Sequence, residues 1–381
     1  MFPCASFSAE LWKTHDCRIV LFMQQEHIFA NAFNCIQELG PQRLSLLQKY
    51  FGSFETAWRA SQSELRAALH DIPATASIAE KRKQIYPEQE FTLLQKHHVA
   101  ILLQKDNLYP EPLRQIPDSP ALLYIEGTLR IFDKPGLAVV GTRTPTAYGR
   151  EVCRTLVPPI AAAHVPIISG LAFGIDTEAH KAALDQKGYT IAVLGSGLMR
   201  NVLYPASNKK LADEIVSRGG ALVSEYPLQC KATQWTFPLR NRIIAGLSKA
   251  VLIIEAREKS GTRITARYAV EYNRDVLTTP GSIFSTNSWT PHSLIKEGAT
   301  PITSADDILE ALGISQTSEK KDNGNLSEQE QALLEYLQEP LSANELARAA
   351  SADIGALQRT LALLEIRGAV RNMGNGIYRK L

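Results

Sequence analysis

The chain has 381 residues, with 41 Lys and Arg against 39 Asp and Glu and a formal net charge of +2. A hydrophobic fraction of 45% with 21% charged residues belongs to a folded globular chain, long enough for two or three domains. The near balance of charge excludes nucleic-acid binding by bulk charge, so any such contact needs a local cluster of cations.

The five cysteines, Cys4, Cys17, Cys35, Cys153 and Cys230, are scattered. With no CxxC and no histidine at metal spacing, they support neither a disulfide framework nor a zinc site and fit a reduced cytoplasm. No apolar run approaches membrane-spanning length, and the first residues lack a basic segment followed by an apolar core. A cytoplasmic protein without membrane contact is expected. Residues 1–17 are given no function.

Residues 18 to about 95 read as short helices. Apolar positions recur at helical spacing in Ile28 to Leu39, Leu44 to Phe51 and Leu65 to Leu69, broken at Gly40-Pro41, Gly52 and Pro73. A small bundle of the helix-hairpin-helix or sterile-alpha-motif kind fits. The candidate hairpin Asp71-Ile72-Pro73-Ala74 has no glycine to open its backbone to phosphate, so a packing or interaction module is the favoured role. Residues 96–136 hold two apolar runs, Val99 to Leu103 and Ala121 to Ile125, around a proline-rich stretch. This reads as a connector whose runs are at most edge strands.

From 137 to about 312 apolar runs alternate with helical stretches, at Leu137–Val140, Val165–Ile168, Ile191–Leu194, Ala221–Val223, Val251–Ile254 and Val276–Leu277. The pattern predicts an α/β fold: an extended, Rossmann-like, mostly parallel sheet covered by helices. Residues 316–325 are polar and read as a linker. In the tail, 326–381, Ser327 with Glu330 and Ser342 with Glu345 are capping boxes. A third helix from about Ile354 to Arg367 ends at Gly368, and Val370 and Ile377-Tyr378 flank a glycine-rich turn. Three helices and a hairpin predict a winged helix, whose nearly neutral third helix leaves DNA and protein contact both open.

Small residues and cations follow the core runs: Gly141-Thr142-Arg143, Ser169-Gly170, Gly195-Ser196-Gly197, Phe237 to Arg242, and Ser260-Gly261-Thr262-Arg263. In a parallel sheet these turns converge on the carboxyl edge. There glycines bare backbone N–H groups, helix N-termini favour anions, and arginines grip phosphate oxygens. An anion site is expected. GxGxxG fails at Arg143 and Thr146, the turn after the third run has Arg200 where a third glycine would stand, and no Walker A lysine motif occurs. No cofactor is expected.

Lys231 to Arg274 is locally basic, with Arg240, Arg242, Arg257, Arg263 and Arg267 against Glu255, Glu258 and Glu271, and Trp235 and Phe237 precede the first two arginines. Cations interleaved with aromatics suit single-stranded nucleic acid, although on their own the two rings read better as core or loop anchors. No Ser/His/Asp set is implied. His180, one turn after Asp176, reads as a satisfied core histidine. Glu225 and Glu255, at strand ends, are the candidate carboxylates if the site is catalytic.

The segments VVGTRTPTAYG (139–149), ISGLAFGIDTEAH (168–180), IAVLGSG (191–197), FPLRNRIIAGLS (237–248), SGTRITA (260–266) and TPGS (279–282) resemble the DprA/Smf family of DNA-processing proteins. The resemblance implies a non-enzymatic, dimeric protein that binds single-stranded DNA and loads a RecA-type recombinase during natural transformation. It implies a phosphate pocket of Gly141, Thr142, Arg143, Ser169, Gly170, Gly195, Gly197, Arg240, Asn241, Arg242, Ser260, Gly261 and Thr262, with Phe237 as a stacking platform. The sequence departs from the family pattern at Phe173, where many members have arginine, and at His292, where asparagine is common. The competing reading is an enzyme resembling the Rossmann-like phosphoribohydrolases of nucleoside monophosphates. Its PGGxGT-type turn would fall at Glu258-Lys259-Ser260-Gly261-Thr262.

Overall fold

A computed structural model describes residues 25–70, 75–130, 134–314, 327–366, 369–374 and 376–380. The expected hairpin at 71–74, residues 1–24, the linker at 316–325, and Arg367, Gly368 and Asn375 of the tail lie outside the described residues. The chain divides into two compact units between Ile314 and Ser315.

The first unit is built on strands β1 (Val99–Leu103), β2 (Leu122–Gly127), β3 (Leu137–Gly141), β4 (Ile167–Ser169), β5 (Thr190–Val193), β6 (Ala221–Ser224), β7 (Ala250–Ile254), β8 (Asp275–Thr278) and β9 (Thr300–Pro301). They form one sheet in the order β1-β2-β6-β5-β4-β3-β7-β8-β9. From β6 to β9 along this order every pairing is parallel, while β2 pairs antiparallel with both β1 and β6.

The run around Leu122–Ile125 is therefore no edge strand: it lies between β1 and β6, and of the two runs β1 alone is at the border. Pro110, Pro112, Pro117 and Pro120 all precede β2, so no ladder N–H is lost and the apolar run can be enclosed.

Successive residues of β3 face opposite ways, as the two-residue period of a strand requires. Leu137 and Val139 join the cluster that includes Val157, Ile160, Leu252 and Ile254, whereas Ala138 and Val140 join Ile168, Ile191 and Ile243. A strand buried on both faces reads as a continuous apolar run, which is why these strands stand out in the sequence.

The N-terminal helices share this unit. Ile28, Phe33, Phe54 and Leu94 belong to the same apolar cluster as Leu103, Tyr124, Ala192 and Leu222. Buried hydrogen bonds add directionality: the Tyr124 hydroxyl donates to Asn31 Oδ1 (2.8 Å), and Asn34 Nδ2 donates to the Glu225 carbonyl (2.9 Å).

The second unit holds helices Glu328–Tyr336, Ala343–Ala349 and Ile354–Ile366 with β10 (Leu341–Ser342), β11 (Val370–Asn372) and β12 (Ile377–Lys380), a winged-helix arrangement in the sheet order β10-β12-β11. Both expected capping boxes are formed, Ser327 with Glu330 and Ser342 with Glu345. Leu333, Leu337, Leu346, Leu361, Leu364 and Val370 make its core. No helix among the described residues is long and apolar enough to cross a membrane.

Candidate nucleic-acid interface

The chain leaves β3 for β4, β5 and β6 on one side and returns to β7 on the other. This reversal opens a crevice at the carboxyl end of β3, the usual ligand position in such sheets. Gly141 closes β3 where a Cβ would meet the Ile254 carbonyl and approach Ile175 Cγ1 at 2.6 Å. The Thr142 N–H donates to the Glu255 carbonyl (2.7 Å), which leaves the Arg143 side chain exposed at the crevice. Leu171 (φ 57°) and Glu255 (φ 48°), just after β4 and β7, hold left-handed backbone although they are not glycine. Such strain persists only where the surroundings over-determine the turn.

Five neighbouring strand ends supply the expected residues, but two of the glycines act differently from the expectation. Gly170 donates its N–H to Asp176 Oδ2 (3.0 Å) and Gly197 donates to the Cys230 carbonyl (2.8 Å), so neither N–H is bared for an anion. Their lack of a side chain makes room instead. A Cβ on Gly170 would lie 2.6 Å from the Arg240 guanidinium, and one on Gly195 would lie 2.8 Å from Phe237 Cδ1. Ser169 also turns inward, donating to the Val139 carbonyl (2.7 Å). Ser260 accepts the Thr262 N–H (3.2 Å) at the start of helix Thr262–Glu271, and Gly261 is open to solvent.

Arg240 and Arg242 part company on helix Thr236–Leu247. Both are only 4% exposed. Arg240 Nη1 donates to the carbonyls of Gly170 (2.7 Å) and Val193, and its Nε donates to Asn241 Oδ1 (3.1 Å). It makes no ion pair among the described residues, and Asp176 acts on it only from a distance. Burial pushes the guanidinium down to about 10, still well above neutrality, so it remains charged.

Arg242, expected in the phosphate pocket, instead forms a buried ion pair with both Glu225 oxygens (2.5 and 2.7 Å) and lies 3.6 Å from Asp118. Burial works against its charge, but Glu225 and Asp118 outweigh it and hold the guanidinium above its usual value. The reason is helical geometry: side chains two positions apart do not share a face.

The same contacts occupy the candidate carboxylates. Glu225 is taken by Arg242, and Glu255 accepts from the Thr146 N–H (2.8 Å) and hydroxyl (2.5 Å). His180 is buried with Nδ1 2.8 Å from Thr190 Oγ1. The Thr190 hydroxyl donates to the Ile167 carbonyl, so the histidine must donate from Nδ1, and its buried Nε2 has no partner. Burial, with help from Arg240, lowers it to about 3. His292 donates from Nε2 to the Gly281 carbonyl (3.0 Å), which ties it to the TPGS turn. No group of three His, Cys, Asp or Glu placed to hold a metal occurs among the described residues.

Aromatic rings complete the crevice. Phe237 is half-buried, with the Arg143 guanidinium 5.4 Å over its ring centroid and the Tyr204 ring 5.6 Å away. Phe173 lies 6.2 Å from Tyr204. Sequence reasoning misses Tyr204 altogether and treats Phe173 only as a lost cation. Phe173 stands four residues after β4, which is a signal of sorts; Tyr204 stands eleven residues after β5 and carries none.

Residues 100–313 match the family described as DNA recombination-mediator protein A, and residues 316–376 match the DprA winged helix domain. The chain belongs to the DprA/Smf family. Protein Smf of Escherichia coli strain K12 is 41% identical over 261 residues, 67% of this chain and 69% of that protein. Among solved DprA structures, that of Streptococcus pneumoniae superposes with a TM-score of 0.64 at 34% identity, covering 74% of this chain and 97% of the other. A Helicobacter pylori structure, reported for the single-stranded DNA binding mode of its DNA processing protein A, gives 0.50 at 30% identity, covering 56% of this chain and 95% of the other.

Two stability measurements test this DprA-family site. Arg242→Met leaves Glu225 buried without its partner and should lower the unfolding free energy by about 3–5 kcal/mol, read from urea denaturation. An unchanged midpoint would contradict the buried pair. His180 makes stability depend on pH. The unfolded imidazole takes a proton below about 6.5 while the folded one resists until about 3. Its contribution is therefore complete above pH 6.5 and is lost as pH falls toward 3, amounting to about 2 kcal/mol at pH 5. His180→Asn, which keeps a donor near Thr190, should lose that much less between pH 7.5 and 5.

Proposed function

We propose that the chain binds single-stranded DNA in the crevice at the end of β3 and acts, without catalysis of its own, as a homodimeric recombination mediator. In this role it protects incoming single strands during natural transformation and loads a RecA-type recombinase onto them. The observation that carries the reading is a pair of cations. Arg143 is exposed at the switch point, and behind it Arg240 keeps a buried charge that no described carboxylate pairs. Burying a charge with no carboxylate at ion-pair distance is costly even when it is hydrogen-bonded, and a phosphate in the crevice would offset part of that cost.

Family membership and the reported single-stranded DNA binding of the Helicobacter pylori relative support the same reading. The dimer and the recombinase contact rest on family membership. Thr142, Arg143, Asn241, Ser260, Gly261 and Thr262 are proposed to line the phosphate path, with Gly141, Gly170, Gly195 and Gly197 making room for the protein groups packed beneath it. Ser169 and Arg242 hold the scaffold. Phe237 props the Arg143 guanidinium. The commitments of Glu225 and Glu255 weigh against the phosphoribohydrolase reading, since each carboxylate already has a partner.

Fluorescence anisotropy with a labelled oligothymidylate tests the reading. Arg143→Ala should weaken binding across all strand sequences and reduce the salt slope by about 0.7. Arg242→Met, in the fraction that folds, should leave that slope unchanged. Unaltered affinity in folded Arg143→Ala, or release of free base from a nucleoside monophosphate, would overturn it.

A further inference from the structure

The segments after four adjacent strands, β3, β4, β5 and β6, bring Arg143, Phe173, Tyr204 and Phe237 into one line of contacts. Phe173 is 41% exposed and Tyr204 47% exposed. Large rings left this open on neighbouring loops keep a joint apolar surface available to a ligand.

Their mutual geometry favours an open aromatic surface over a closed one. The rings of Phe173 and Tyr204 meet at 83°, edge to face, with centroids 6.2 Å apart. In such a pair the ring that offers its edge keeps both faces free of its partner. The pair also fixes the two loops against each other, so the surface is organised before any ligand arrives.

Phe237 is differently placed. It is half-buried, Gly195 lies directly against it, and the Arg143 guanidinium stands 5.4 Å over its ring. That cation–π contact covers one face of the ring and steadies the guanidinium. Phe237 thus serves Arg143, and the free ring faces lie further along, on Tyr204 and Phe173.

We propose that Phe173 and Tyr204 form the base-stacking platform of this site, and that Phe237 positions Arg143 for the adjoining phosphate. The proposal rests on the single-stranded DNA reading and divides its labour. Cations hold the backbone, and two exposed rings take unpaired bases, whatever their identity, because every base has a π-face. The Phe173 loop is also the one whose Gly170 carbonyl Arg240 grips, so the platform and the buried cation are joined through one turn.

The test compares two labelled probes of equal length, an oligothymidylate and a strand of abasic nucleotides with the same phosphates. The full-length protein should prefer the intact strand. Phe173→Ala and Tyr204→Ala should each weaken binding of the intact strand on the order of tenfold and leave the abasic strand unaffected. Phe173→Tyr and Tyr204→Phe, which keep a ring, should retain the preference and control for loop collapse. Arg143→Ala and Phe237→Ala should weaken both probes together.

The proposal is overturned if the Phe173 and Tyr204 alanine variants weaken both probes alike, or neither. It is also overturned if Phe237→Ala alone abolishes the preference for bases. A preference lost in Phe173→Ala while Arg143→Ala binds both probes normally would instead sink the cation reading and leave the platform standing.

Discussion

One buried guanidinium spans the carboxyl ends of two parallel strands, and much of the crevice follows from it. Arg240 takes the carbonyls of Gly170 and Val193, just beyond β4 and at the end of β5. A carbonyl at the end of a ladder has no further strand N–H to meet, and a buried acceptor left unpaired costs about 1–3 kcal/mol. The guanidinium satisfies two of them at once. Gly170 must then lack a side chain, because a Cβ would enter the space of the guanidinium. Asp176 favours the charged guanidinium from a distance, while its carboxylate accepts the N–H groups of Gly170 and Ala172 and forms no direct ion pair with it. The same residue that sets the turn therefore leaves a positive potential under it, and His180 stays neutral partly because it lies in that field.

Two residues further along, an arginine of the same motif does the opposite work. Arg242 points to Glu225 and Asp118 and fastens the helix Thr236–Leu247 to the strand end of β6 and to the proline-rich connector. Asn34 reaches the carbonyl of that same Glu225 from the N-terminal helices. Charge and chemistry are identical in the two arginines; only the helical phase separates a cation beneath the crevice from one paired within the scaffold. Sequence alone places both in the pocket, because FPLRNR reads as a loop carrying two cations. At about 100° per residue, positions 240 and 242 point in widely different directions once the stretch is helical.

The parallel strands are legible because burial on both faces leaves an uninterrupted apolar run, as in Leu137–Val140 and Val251–Ile254. The interior place of β2 is not, because nearby prolines suggest an edge although none falls within the strand. The glycines fall at the strand ends as expected, but Gly170 and Gly197 spend their N–H groups within the protein. Gly170 and Gly195 look like phosphate-cradling turns in sequence, yet it is Arg240 and Phe237 that require them to be bare. Tyr204 and Phe173 lie on separate loops, and only the adjacency of β4 and β5 makes them neighbours. A single sequence read in one dimension carries no signal for that meeting. The capping boxes Ser327/Glu330 and Ser342/Glu345, which are local, need no such information.

The proposed division between cations and rings also bears on how such a site would choose single strands. Phosphates alone cannot supply the choice, since a duplex carries them at higher density and a net charge of +2 gives no strong field to exploit. Exposed rings supply it by access. In a duplex each base already stacks on its neighbours and faces inward, so a ring at a loop tip finds no free π-surface without unstacking a step. In a single strand the bases can turn out at little cost, and each one gained by a ring adds affinity that a duplex cannot match. A site with one exposed arginine, one buried arginine and two open rings therefore needs no base-specific hydrogen bonds to prefer single strands. It would remain indifferent to sequence, as a protein that handles any incoming strand must be.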